Sequence, residues 1–585
     1  MNRNLLKALA VLPSVWLLTG CIDDNYDLSN VDTTTRLNVT DLVLPVNIDP
    51  ITLGDVIKLD EGSKIQSVNI GGKDFYALVE KGNFGSDPIS ISGVHAEASP
   101  LSPTHETLER LISEAGSRRN ASSGEYVFPI KEMGNYFSYN SVNIDEAIVS
   151  LRHITTDPFE FKLNLEVEDE HSTISSMSFL DLVIRSPKGL DATPSVGTYD
   201  SATGLWRIPR VDVRGNHAEI ALLATGVDTQ TAKVSIRPDR SLDFNSEFHI
   251  QSGYIDITPN SMSFRDEVEF YIHYDLSDFS VKNFSGDVKY ALDGIDIAPV
   301  SLSDIPDFLT GDETNVEIAN PQIYLQINNP VAGIPLDLSA GLRLTAHRDG
   351  NGSRTFDLND PLAIGHGLGV AGPYNFVMSP SDKNLNVPDE FAEGIHWNRF
   401  EDLGSLLAAA PNSGVKGLPE SIDIDLVNAG IPVQSVNDFA VPCTFAAAKG
   451  SYELLAPLAL NDGSKIIYSE IRDGWNDEDV DALTITRLEV TAHADNQCPV
   501  GVRLTVYPID VNGNVIDATV ESSYIPANSE TDLTIILTGE VTHLDGIRYY
   551  AVLDAGENDE ALSPAQTLNL TNIRARVSGY YQKEL

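Results

Sequence analysis

Phe159-Glu160-Phe161-Lys162-Leu163-Asn164-Leu165-Glu166-Val167 carries an apolar residue at every second position and a polar or charged one between each pair. Side chains on a strand alternate between faces, so this stretch offers one face to a core and the other to water, whereas a helix would scatter the same apolar residues around its axis. Pro158 opens it, a position where a missing N–H does little harm to a ladder. The same device recurs at Pro335, with Leu336, Leu338 and Ala340, and at Pro499, with Val500, Val502, Leu504 and Val506. Elsewhere, short runs of Val, Ile, Thr, Tyr and Phe are divided by turn residues such as Asp510-Val511-Asn512-Gly513-Asn514 and Asp349-Gly350-Asn351-Gly352, which suit tight hairpins. The expected fold class is all-β, in tandem β-sandwich domains.

A second pattern precedes each alternating run. Pro50-Ile51-Thr52-Leu53-Gly54-Asp55, Pro299-Val300-Ser301-Leu302-Ser303-Asp304 and Pro457-Leu458-Ala459-Leu460-Asn461-Asp462 all read Pro, apolar, small, Leu, any residue, Asp. Two patterns in the same order three times predict whole-domain repetition. The expected division is repeat 1 over 36–275, repeat 2 over 276–440 and a C-terminal repeat 3 over 441–585. Because the interval from Pro50 to Pro158 far exceeds its two counterparts, the first copy is expected to carry an insertion at about 75–140. Within it, Thr104 to Ala115 reads as a short helix stopped by Gly116.

The chain starts with Arg3 and Lys7, runs through a mainly apolar stretch from Leu9 to Leu18, and reaches Leu18-Thr19-Gly20-Cys21. That stretch is too short to cross about 30 Å of hydrocarbon as a helix, and it leads to small residues as a cleaved secretory peptide does. The segment resembles the signal of bacterial lipoproteins, whose Leu, small residue, Gly, Cys box it matches residue by residue. The resemblance implies a signal peptide over 1–20 and a mature chain whose Cys21 carries diacylglyceryl and N-acyl (palmitate-type) chains, the membrane partner being reached through that anchor. Ile22, Asp23 and Asp24 follow, and the acidic pair resembles the cluster after the lipidated cysteine in surface lipoproteins of Bacteroidota. Outer-membrane location, with display at the cell surface, is the implied address. Residues 21–35, rich in Asp, Asn and Thr, read as a flexible tether.

Charge narrows the partners. With 39 Lys and Arg against 85 Asp and Glu, the net charge is −46, so phosphate backbones would be repelled and nucleic acid is excluded as a partner. Once the leader is removed, Cys443 and Cys498 are the cysteines left besides Cys21. In an oxidising compartment the pair suggests a disulfide, the alternative being two buried thiols.

Gly197-Thr198-Tyr199-Asp200-Ser201-Ala202-Thr203-Gly204-Leu205-Trp206, followed by Ala218 to Thr225, resembles the immunoglobulin-like repeat domains of bacterial surface proteins over about residues 145–235. That likeness implies a hairpin leading into a buried Trp206 and implies no activity. Ala319-Asn320-Pro321 through Ile334-Pro335-Leu336 weakly resembles the sandwich of late-embryogenesis-type domains, again without an activity.

Catalytic patterns are sparse. His105-Glu106 lacks a second histidine four residues on, no Gly-x-Ser-x-Gly elbow occurs, and the 12 histidines are scattered. The expectation is that the chain is not an enzyme. Two acidic stretches are candidates for calcium. Asp510, Asn512, Asn514 and Glu521 fall at positions of an EF-hand loop, but Val515 stands where its glycine belongs, so an Asn-Gly hairpin fits better. Asp473, Trp475, Asp477, Glu478, Asp479 and Asp481 form the candidate ligand or cation loop, against the plainer reading of a solvated loop with Trp475 folded over a sandwich edge. Tyr136-Phe137-Ser138-Tyr139, His396-Trp397 and Tyr580-Tyr581 become binding candidates only if they prove coplanar and solvent-facing, the plainer reading being half core and half surface. The expected function is binding at the cell surface, by glycan capture or adhesion to a partner surface protein, with the C-terminal domain as the far end. A structural subunit of a fimbria-like assembly is the alternative, and a glycoside hydrolase or accessory comes third.

Overall fold

The computed structural model describes residues 34–45, 50–57, 59, 63–107, 118–119, 126–170, 172–260, 268–302, 305, 309, 314–348, 352–365, 371–407, 418–476, 481–555 and 560–584. Strands account for 66% and helix for 3% of it, so the all-β expectation holds, with packing consistent with tandem sandwiches. No helix among these residues is long and apolar enough to cross a membrane.

The central unit grows from the stretch that opened the sequence reading. It lies in the long strand Ile148–Glu168, which pairs antiparallel with His217–Asp228 and Glu269–Leu276 on its two edges, while its first half pairs with Phe279–Ala291. Phe159, Phe161 and Leu163 are fully buried, and Leu165 and Val167 nearly so. A facing sheet of Ile174–Arg185, Leu205–Val213, Leu242–Pro259, Tyr126–Ile130 and Met133–Asn140 closes over them. Between the layers Phe137 and Tyr139 meet Phe159, Phe161 and Phe244, with Phe137 and Phe161 5.7 Å apart and Tyr139 and Phe159 6.0 Å apart. Each buried ring contributes roughly 1.5–3 kcal/mol by leaving water.

The hairpin before Trp206 forms for local reasons. Gly197 and Gly204 have φ of 80° and 73°, and a Cβ at either would lie 2.1 Å from the Arg207 carbonyl or 2.4 Å from that of Ser186. Asp200 accepts from the Thr203 hydroxyl and the Ala202 N–H, and these bonds, Thr203 first, hold its carboxyl below the usual range. Trp206 is fully buried and its indole N–H donates to the Val196 carbonyl at 2.7 Å.

Strand pairing crosses both boundaries expected between repeats. Lys73–Ile91 pairs with Cys443–Pro457, from Ala77 opposite Pro457 to Ile91 opposite Cys443. Phe279–Ala291 pairs with the first half of Ile148–Glu168 across 275/276, and Thr34–Pro45 pairs with Thr567–Glu584. The divisions at 275/276 and 440/441 are therefore not borders between independent units. The repeated motif does mark a buried leucine each time, at Leu53, Leu302 and Leu460. Its setting differs: a short helix Leu53–Val56, the end of strand Val300–Ser301, and a single bridge from Leu460 to Ile318.

The helical insertion is also corrected. Thr104–Thr107 is a strand antiparallel to Glu269–Ile272, and the rest of the expected helix, 108–115, lies outside the described residues. The free edge of Glu269–Leu276 takes up these backbone groups, and His105 stacks on Tyr271 at 4.7 Å, so sheet pairing overrides local helix propensity. Around it, Lys73–Ile91, Tyr126–Ile130 and Met133–Asn140 are integral sheet strands, so these described parts of 75–140 belong to the fold. The expected disulfide is absent too: both thiols are free. Cys443 faces Ile91 in one sheet, whereas Cys498 is buried in the turn between Leu483–Asn496 and Val500–Ile509, where burial pushes its thiol up to about 11 and keeps it protonated.

One buried charge gives a testable pH effect. Glu453, 3% exposed, sits opposite Tyr324 and reaches the Lys81 ammonium at 2.9 Å. Burial raises its carboxyl above the usual glutamate range, with Lys81 pulling the other way. Because the fold favours the protonated form, this contribution to stability is full below the unfolded glutamate value and is lost as pH rises through the raised one. Glu453→Gln should flatten that limb of a urea-midpoint curve taken between about pH 4 and 8. An unchanged curve would refute the assignment.

Candidate functional site

The loop singled out for cation or ligand binding is tied into the protein instead. The Asp545 carboxylate accepts from the Gly474 and Asn476 N–H groups, and its carbonyl accepts from the Trp475 N–H. Trp475 is half-buried against Leu483, Ile485, Leu537, Val541, Leu544 and Val577. Asp481 bonds the Asn476 amide and His543 Nδ1, each at 2.9 Å, and these bonds, His543 first, hold its carboxyl below the usual range. Asp473 is exposed, and Asp477, Glu478 and Asp479 lie outside the described residues. The Asp510 carboxylate accepts from the Asn512 and Asn514 N–H groups, closing an Asn-Gly hairpin, while Glu521 sits in the strand Thr519–Glu521 opposite Ile536. Among the described residues no group of three metal-ligating side chains converges. Cys21, Asp23 and Asp24 lie outside them.

The aromatic segments divide cleanly. Trp397 donates its indole N–H to Ser379 Oγ, and the Arg36 guanidinium lies 3.5 Å from the centre of the Tyr580 ring. In Met133–Asn140, alternation sends Phe137 and Tyr139 into the core and leaves Tyr136 78% exposed. Pairing with Leu242–Pro259 sets Tyr136 opposite Glu247, Ser138 opposite Asn245 and Gly134 opposite His249.

Several of these residues line a surface groove. It is open, about 500 Å³ in volume, and lined by Ser99, Tyr136, Phe137, Ser138, Asn245, Ser246 and Glu247. The Tyr136 ring meets His249 edge to face at 5.1 Å and 76°. That approach needs Gly134, where a Cβ would come within 2.4 Å of His249 Cα. His249 is 9% exposed, its Nδ1 is 3.9 Å from both Glu132 and Glu247, and its Nε2 is buried without a partner. Glu247 is steadied by Arg185 at 3.3 Å, and the Asn245 amide donates to Asp243 at 2.6 Å, while Ser99 Oγ accepts from the Ser138 N–H. A solvent-facing ring bordered by hydroxyls, an amide and a carboxylate can stack on a ligand and hydrogen-bond its rim. The sequence flagged Tyr136, but nothing in it joined Tyr136 to Arg185, Asn245, Glu247 or His249, because only strand register brings them together.

No protein-family model matches the chain, and neither does any curated protein. A solved structure described as a "putative secreted protein" of Parabacteroides distasonis is similar at 14% identity, over 51% of this chain and 89% of that one, with a TM-score of 0.35. A likeness that low assigns nothing.

Proposed function

We propose that the chain is a lipid-anchored protein of the outer membrane, displayed at the cell surface, that acts by binding. The unit that joins the first and last described strands lies on the anchor side, and the sandwich built on Ile148–Glu168 is the part held out to ligands. One observation carries this arrangement: Thr34–Pro45 pairs antiparallel with Thr567–Glu584, Thr34 lying opposite Glu584. Twelve residues lie between Cys21 and Thr34, and the thirteen Cα–Cα steps they make reach at most about 45 Å when fully extended. The C-terminal strands are therefore close to the anchor, which reverses the expectation that they form the far end. Two or more acyl chains on Cys21 would make attachment stable, so no basic surface is needed on so acidic a chain. The reading assigns the protein no reaction.

Cys21→Ala tests it. The variant is expected to lose palmitate labelling and to leave the membrane fraction while keeping wild-type thermal stability, and wild-type cells should lose the protein to external protease. Membrane retention of the unlabelled variant would overturn the anchor.

A second reading, a subunit that assembles by strand addition, is favoured by one feature. Thr34–Pro45 is an edge strand with no partner on its outer side among the described residues, and its Leu37 and Val43 are exposed. Light scattering that finds only monomer at high concentration would exclude it.

A further inference from the structure

We infer that the groove beside Tyr136 is a carbohydrate subsite for neutral or N-acetylated hexose units. This rests on the binding reading above and names the ligand class of its site.

The chemistry of the groove selects that class. Tyr136 presents most of its ring to water, and its neighbours Ser99, Ser138, Asn245, Ser246 and Glu247 are all polar. A protein partner is poorly matched, since interface centres gather several apolar and aromatic groups into one desolvated patch. An apolar small molecule is poorly matched as well, because such ligands need a cavity that covers them and this groove is open. A hexose has one flat C–H face suited to an aromatic ring and a rim of hydroxyls that both donate and accept. Glu247 and the Asn245 carbonyl accept from such hydroxyls, and the serine hydroxyls can donate.

Sign of charge excludes acidic sugars. Glu132 and Glu247 both approach His249, which the Tyr136 ring meets, on a chain of net charge −46, and Arg185 is already paired with Glu247. Two further features point to a ligand. Glu247 and Asn245 are fixed by Arg185 and Asp243 before anything binds, which lowers the ordering cost of binding. The His249 ring meets the Tyr136 ring and its Nε2 is buried without a partner, a donor or acceptor that a hydroxyl entering beside Tyr136 would satisfy.

The test uses the soluble chain from residue 22 onward, so that it is independent of the anchor. It is applied to an array of manno-, chito-, malto-, cello- and laminari-oligosaccharides, with alginate and pectin fragments as acidic probes. Titration calorimetry of the best probe then compares wild type with Tyr136→Ala, Tyr136→Phe and Glu247→Gln. Binding to a neutral or N-acetylated oligosaccharide is expected, weakened about tenfold in Tyr136→Ala and nearly retained in Tyr136→Phe, where the stacking ring survives. Glu247→Gln should also weaken it. Thermal midpoints should stay at the wild-type value for the exposed Tyr136 variants. A blank array, recognition of acidic probes alone, or affinity indifferent to Tyr136→Ala would overturn the proposal. Since no lipid takes part, failure here leaves the anchor reading standing, and failure of the Cys21 experiment leaves this one standing.

Discussion

Trp206→Ala is expected to destabilise the central sandwich by about 3–5 kcal/mol, the range for emptying a large buried aromatic site. Trp206 has no exposed surface, and its indole N–H is bonded to the Val196 carbonyl across the mouth of the Gly197 hairpin. Alanine leaves a cavity between the sheets and also strips that carbonyl of its donor, so transfer, cavity and hydrogen-bond losses act together. The backbone cannot close the gap easily, because Gly197 and Gly204 already lie against the Arg207 and Ser186 carbonyls. Trp206→Phe should be milder, since it keeps most of the apolar volume and loses only part of the fill and the N–H. Urea unfolding followed by far-ultraviolet dichroism measures both. Equal midpoints for Trp206→Ala and wild type would show that the hairpin is not seated on this core.

Removing residues 34–45 is expected to have a comparable effect on the sheet that holds Thr567–Glu584. This strand meets Thr567–Glu584 at ten paired positions from Thr34 opposite Glu584 to Pro45 opposite Arg574, with a bulge between Val39 and Leu42. Each net hydrogen bond is worth about 1 kcal/mol, so several kcal/mol should go, along with the Arg36 contact to Tyr580. A long C-terminal strand would then stand with one edge bare, still held by Leu483–Asn496 on its other side. Bare edges recruit other strands. The truncated chain should therefore form soluble oligomers in light scattering and show faster amide exchange in 483–496 than in 159–167. Monomers with wild-type exchange would mean that the first strand is an ornament on the C-terminal sheet rather than part of it.

How far the sequence could be read depended on distance along the chain. Alternation from Phe159 to Val167 specified both the strand and its buried face, because side-chain direction has period two whatever the partner. The hairpin at Gly197 to Gly204 and the turn at Asp510 to Asn514 were also legible, since positive φ and side-chain to backbone bonds are decided within a few residues. Thr104 to Thr107 has the local pattern of a helix, but the hydrogen-bond partners that make it a strand lie beyond residue 268. The three-repeat division failed for a related reason. The motif correctly marked Leu53, Leu302 and Leu460 as buried, yet Lys73–Ile91 found its partner in Cys443–Pro457. Of the candidate site, Tyr136 was visible as an aromatic in an alternating run, while Glu247 and His249 were ordinary polar residues until register set them opposite Tyr136 and Gly134.

By itself, then, the sequence determined the all-β class, the inward faces of its alternating strands, the turn chemistry and the acidic surface, all properties of neighbouring residues and of composition. Tertiary structure decided which strands share a sheet, that the first described strand closes onto the last, that Cys443 and Cys498 stay apart, and that a groove forms beside Tyr136. The physical reason is that a strand satisfies only half of its needs locally. Its side-chain alternation is intrinsic, but its backbone donors and acceptors must be met by another strand, and the choice among many similar edges is made by packing across the whole core.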